Sequence, residues 1–146
     1  MTRRSPAARA SEEGSTLPLI VVYAAIALVL VLIVGAATSL YLERKRLYAL
    51  ADATALAAAE PAELRLSGPD GSARLDGDAV ERTARSFLDN EPGGAFEGLT
   101  LDHAGTRDGR SATVTLSAYW RPPLLAPLVP EGLRIAVTSS ARSAFW

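Results

Sequence analysis

From Gly14 to Leu42 the chain carries no charged residue, although 31 of its 146 residues are Asp, Glu, Lys or Arg. Within this stretch, Ser15 to Leu42 reads STLPLIVVYAAIALVLVLIVGAATSLYL, 28 residues that would make a helix of about 42 Å against a hydrocarbon core of about 30 Å. Fifteen of them are Leu, Ile or Val. At the membrane centre such residues contribute together roughly -5 to -9 kcal/mol towards insertion, and no charge opposes it. A soluble helix of this length would show a polar face, and this segment is apolar all round. The reading is a single-pass transmembrane helix over 15–42.

Both ends of the segment are marked. Thr16 can act as N-cap, with Pro18 in the first turn where its missing N–H is not needed, so the helix starts near Leu17. Glu43, Arg44, Lys45 and Arg46 end the apolar span as a hydrated flank, bracketed by Tyr41 and Tyr48 as interfacial rings. Arg3, Arg4 and Arg9 precede the segment and Arg44, Lys45 and Arg46 follow it. The basic residues therefore balance and do not set the orientation. A cleaved secretory signal is the rival reading, with Val34, Gly35 and Ala36 as its cleavage site, but the apolar run exceeds the 7 to 15 residues of a normal signal core. A retained anchor is favoured.

Neither proline nor glycine interrupts Glu43 to Glu60, and LYALADATALAAAE consists mainly of strong helix formers. One helix of about 65 Å from Leu17 to Ala59 is predicted, ended by Pro61. Leu47, Leu50, Thr54 and Ala58 share one face, suited either to packing on the chain's own domain or to contacting other subunits.

The succession of Glu12, Glu13, Gly14, Ser15 and Thr16, a long apolar run and YLERKRLYALADATALAAA resembles the N-terminal segment of TadE/TadG-like proteins of the Flp (tight-adherence) pilus-assembly system, over roughly residues 12–60. In that family a Gly precedes the apolar helix, basic residues follow it, and an Ala-rich stretch with a central Asp-Ala dipeptide comes next. Gly14, Arg44, Lys45, Arg46, Asp52 and Ala53 occupy those positions. The resemblance implies a possible processing point at Gly14 and Ser15. It departs from filament-forming relatives at the fifth residue after Gly14, which is Leu19 where pilins cut by prepilin peptidase usually carry Glu. A buried acid needs a partner such as the N-terminal amine, so the pairing of an assembling filament is missing here. An anchored accessory protein fits better than a major pilin subunit.

The rest of the chain reads as a small α+β domain with a pilin-like arrangement. Residues 1–14 form a cytoplasmic leader-like segment, 15–42 the membrane helix, 43–60 its extension, 61–77 a linker rich in Ser, Gly, Pro and Asp, and 78–146 the extracytoplasmic domain. Asp78 and Glu81 suggest a capping box for a helix from Ala79 to Asp89, with Val80, Ala84, Phe87 and Leu88 on one face and Glu81 paired with Arg85. Leu99, Leu101 and His103 then alternate with Thr100 and Asp102, and Asp108-Gly109 offers a tight turn. Ala112, Val114, Leu116, Ala118 and Trp120 alternate with Thr113, Thr115, Ser117 and Tyr119, and a last strand sets Leu133, Ile135, Val137, Ser139, Ala141 and Ser143 against Arg134, Thr138, Ser140 and Arg142. About three antiparallel strands and one further helix are predicted.

Between the last two strands lies RPPLLAPLVPEG, which cannot pair as a central strand. Leu124, Leu125, Leu128 and Val129 make it either a lid on the sheet or an apolar patch for a partner or the membrane.

The function classes narrow quickly. A net charge of -1 argues against nucleic acid, and zero cysteines exclude disulfides, thiolate metal sites and cysteine nucleophiles. His103 is the one histidine, no phosphate loop or nucleophile motif is present, and Asp70, Asp76, Asp78 and Asp102 lack calcium-loop spacing. On strict alternation Asp102 and His103 point to opposite faces and cannot cooperate. No catalysis, cofactor, metal or small-molecule substrate is expected. Two readings remain. The favoured one is an accessory or pseudopilin-like subunit of a Flp/Tad-type pilus assembly or secretion apparatus, anchored in the bacterial cytoplasmic membrane, with other machinery subunits and the lipid bilayer as partners. The other is a membrane-tethered binding or sensory module unrelated to pili.

Overall fold

The computed structural model describes residues 16–60, 74–91, 95–123 and 130–142. One uninterrupted helix, α1, runs from Thr16 to Ala59. Thr16, expected as the N-cap, is instead its first described helical residue; its end at Ala59 agrees with the propensity reading, and Gly35 sits inside it without a break. The chain divides into two compact units, Met1–Gly35 and Ala36–Trp146, so the second half of α1 belongs to the same unit as the rest of the fold.

Helix α2 covers Gly77–Asn90, and three strands follow, β1 (Glu97–Thr106), β2 (Ser111–Trp120) and β3 (Leu133–Arg142). They form an antiparallel meander in the order β1-β2-β3. The α+β class, the further helix and the three strands read from the sequence are all present.

The core is where the patterns converge. Leu47, Ala51, Thr54, Ala55 and Ala58 of α1 are fully buried, with Leu50 packed against them. The apolar face of β2, Ala112, Val114, Leu116 and Ala118, belongs to the same buried cluster. Val80 and Ala84 of α2 and Leu75 just before it complete the cluster. The face that the 3.6 period singled out on α1 is therefore occupied by its own domain.

Helix α2 starts two residues before the predicted Ala79. Asp76 occupies the N-cap position without a side-chain capping bond, and Asp78 is a first-turn acid, not a cap. The first turn closes through the backbone, Val80 N–H donating to Asp76 C=O at 3.0 Å. The predicted Glu81–Arg85 pair is present at 2.6 Å.

Strand β1 departs from strict alternation twice. Leu101 pairs with Leu116 but His103 pairs with Thr115, so Asp102 is an extra residue opposite the β2 ladder. The bulge reverses the phase: His103 lies on the face of Thr113 and Thr115, not on that of Leu99 and Leu101 as alternation predicts. A second irregularity falls between Glu97 and Thr100, where Gly98 adopts φ +59° and an added Cβ would come within 2.8 Å of Tyr119 Cδ2. Both the backbone and the space require glycine there.

The hairpin turn is longer than a two-residue loop, since β1 ends at Thr106 and β2 begins at Ser111. Gly109 supplies the positive φ of 66°, and Asp108 organises the loop. Its Oδ1 accepts N–H bonds from Arg110 at 2.9 Å and Ser111 at 2.7 Å.

Candidate functional site

Up to Gly35, α1 is an apolar rod with its side chains outward. Leu17, Ile20, Tyr23, Ile26 and Val31 are all more than half exposed. The most apolar 18-residue window of the helix has none of its residues buried. The buried core helix of a soluble protein would satisfy the same length and composition but would be covered, and this one is not. The helix fits a membrane anchor by length and composition.

Beyond Gly35 the same helix becomes a core element, and two polar bonds tie it to the sheet. Trp120 Nε1 donates to Ser39 Oγ at 3.3 Å, and Ser139 Oγ donates to Asp52 Oδ1 at 2.9 Å. The spacing is commensurate. Ser39 and Asp52 are thirteen residues apart, about 20 Å of helix, while Leu133, the partner of Trp120, and Ser139 are six residues apart, about 20 Å of strand. Asp52, in the Asp-Ala dipeptide, thus acts as a clasp between helix and edge strand. Its signal in the sequence was one acid in an otherwise apolar and Ala-rich run. Its partner on β3 was not legible.

The opposite face of the sheet carries a polar node centred on Ser117. Ser117 Oγ donates to Asp102 Oδ1 at 3.0 Å and accepts from Arg134 Nη2 at 2.9 Å and Nε at 3.2 Å. Arg134 Nη2 also reaches Asp102 Oδ1 at 2.8 Å, and Thr100 Oγ1 lies 3.0 Å from Ser117 Oγ. A hydroxyl has one proton, and here Asp102 takes it, so Thr100 Oγ1 is the donor in its contact with Ser117 Oγ. The node links all three strands. Thr115 with Thr138 at 2.9 Å and Thr113 with Ser140 at 3.3 Å continue the hydroxyl pairs along the same face. This chemistry fastens strands, with the serine oxygen fully buried beneath arginine.

The bulge is what brings Asp102 into this node. Its sequence signal is the change in apolar spacing from two, Leu99 to Leu101, to three, Leu101 to Ala104. Asp108 is held well below the ordinary carboxyl range, at about 2, because the backbone N–H groups of Arg110 and then Ser111 donate to it. Among the described residues no group of three or more His, Asp or Glu side chains is placed to hold a metal. The processing residues Gly14 and Ser15 and the apolar loop residues Leu124, Leu125, Leu128 and Val129 lie outside the described residues.

The fold defines a class: a small α+β domain built around the second half of an N-terminal helix whose first half is fit to cross a membrane. Residues 14–60 match the family described as putative Flp pilus-assembly TadE/G-like, in agreement with the resemblance read from Gly14, the basic flank and the Asp-Ala dipeptide. The similarity covers 47 of the chain's 146 residues. The match ends one residue beyond α1, so α2 and the sheet lie outside it. No curated protein and no solved structure matches the chain.

Proposed function

We propose that this protein is a single-pass component of a Flp/Tad-type pilus assembly or secretion apparatus in the bacterial cytoplasmic membrane, acting as a structural accessory or pseudopilin-like subunit with its C-terminal domain outside the cytoplasm. The observation that carries this reading is the coincidence of two boundaries: the family match over 14–60 and the single helix Thr16–Ala59. What the family shares is thus the whole anchor together with the helical spine of the domain.

The role is non-enzymatic in this reading. The polar groups of the sheet are engaged with one another across strands: Ser117 is buried, and its acceptor Asp102 is ion-paired to Arg134. Leu19, standing where an assembling pilin would carry Glu, favours an accessory over a major subunit.

Photo-crosslinking in membranes of the native host tests the assignment, with the probe at Ala53 on the outward side of α1. Recovery of pilus-machinery subunits is the expected result. Recovery of only unrelated receptors or soluble ligands would replace this reading with that of a tethered binding module.

A further inference from the structure

The arginines of the sheet fall into two groups. Arg121 and Arg134 are each held by a carboxylate at 2.8 Å, that of Glu97 and that of Asp102. Arg107 and Arg110, both exposed in the turn between β1 and β2, have no side-chain partner among the described residues. The acid between them is turned inward. Asp108 Oδ1 accepts from the backbone N–H groups of Arg110 and Ser111, and Oδ2 accepts from Ser111 Oγ at 3.0 Å. Arg142, paired with Ser111 at the end of β3, brings a further guanidinium to 3.9 Å from Asp108 Oδ2 with its side chain 74% exposed. Positive charge is therefore in surplus at this turn.

The turn that presents these charges is fixed. Asp108 closes it from within, and from outside Leu75 N–H donates to Gly109 C=O at 2.8 Å. The stem of Arg74 lies against Gly109, with Cγ 3.8 Å from where a Cβ would stand. Arg74 thus joins Arg107, Arg110 and Arg142. Asp76 and Asp78, the acids that open α2, form no ion pair with any of these arginines among the described residues. A charged group carried on a fixed turn loses less freedom on binding than one on a loose loop.

The chemistry of the tip selects its partner. Guanidinium groups match carboxylates, which they can hold through paired N–H donors. A surface that seeks lipid sets apolar side chains beside its basic ones, and Arg107 to Ser111 has none. We infer that the β1–β2 turn is a docking point for an acidic polypeptide segment, whose carboxylates are bound by Arg107 and Arg110 with Arg74 and Arg142 beside them. The surface lies wholly within the unit beginning at Ala36, so it stands or falls separately from the membrane anchor.

The full chain in uncharged detergent is titrated at low ionic strength against a fluorescein-labelled oligoglutamate peptide, with binding read by fluorescence anisotropy. Arg107→Gln combined with Arg110→Gln should weaken binding roughly tenfold, the factor that two exposed ion pairs together supply. Arg82→Gln, which removes an exposed arginine from α2, should leave it unchanged. Thermal unfolding should be the same in all variants, because the replaced side chains make no bond in the fold. Undetectable binding by the unaltered chain, equal weakening by Arg82→Gln, or full binding by the double variant overturns the inference. So does a double variant that keeps the peptide but loses phosphatidylglycerol vesicles, which would make the turn a lipid contact.

Discussion

At the scale of single residues, the fold depends on a few side chains whose partners are far away in sequence. Asp52 accepts from Ser139 across 87 positions, and removing it as Asp52→Ala should destabilise the domain by about 1 kcal/mol, the usual net worth of such a bond. Chemical unfolding in detergent measures this. Ser139→Ala added to Asp52→Ala should cost little more, because the shared bond is already gone. Gly98→Ala has a larger expected cost, about 1 to 2 kcal/mol from the positive φ alone, increased by the shift Tyr119 must make to admit the Cβ. Asp108 contributes through pH. Its folded pKa of about 2 lies below the ordinary 3.8, so its stabilisation is complete above about pH 4 and is lost as pH falls through about 2. Asp108→Asn should flatten that part of the acid unfolding profile, and an unchanged profile would remove the turn from the account.

At the scale of elements, α1 performs two tasks with one helix, and the sequence disclosed them unequally. The anchor was legible because the absence of charge over Gly14–Leu42 has few physical outcomes. The buried face of the extension was legible as a period, Leu47 to Thr54 to Ala58, but periodicity does not say what covers a face. The face joins a buried cluster shared with α2 and the sheet, in which the alternation of β2 was equally clear. Bulges were less legible, since a strict period of two on β1 set His103 on the wrong face. Only the three-residue step to Ala104 signalled it. The Ser117 node was hidden for a related reason, because each of its four residues comes from an ordinary polar strand position and the register alone assembles them. Two substitutions separate the two tasks of α1. Ala55→Leu forces a larger side chain into a fully buried position and should cost about 1 to 3 kcal/mol. Ala53→Leu, on the exposed side, should stay within about 0.5 kcal/mol. Thermal unfolding followed by near-ultraviolet circular dichroism distinguishes them.

At the scale of the whole molecule, the proposed function rests on the first half of α1, which fits a membrane anchor by length and composition. Replacing one aliphatic residue by Arg at mid-span shifts insertion by about 3 kcal/mol, whereas the aliphatic side chains together favour it by roughly 5 to 9 kcal/mol. Ile26→Arg alone should therefore weaken membrane recovery without abolishing it, and Ile26→Arg with Val29→Arg should release most of the protein. The domain should remain folded in both variants, because Ile26 and Val29 belong to the unit that ends at Gly35 and the core to the unit that begins at Ala36. The central claim is that the charge-free part of α1, up to Leu42, lodges in lipid as a permanent anchor, and alkaline carbonate extraction of membranes from cells making the full chain tests it most directly. The account predicts that the protein stays in the pellet until detergent is added; its appearance in the carbonate supernatant, or in the soluble fraction before extraction, would contradict it.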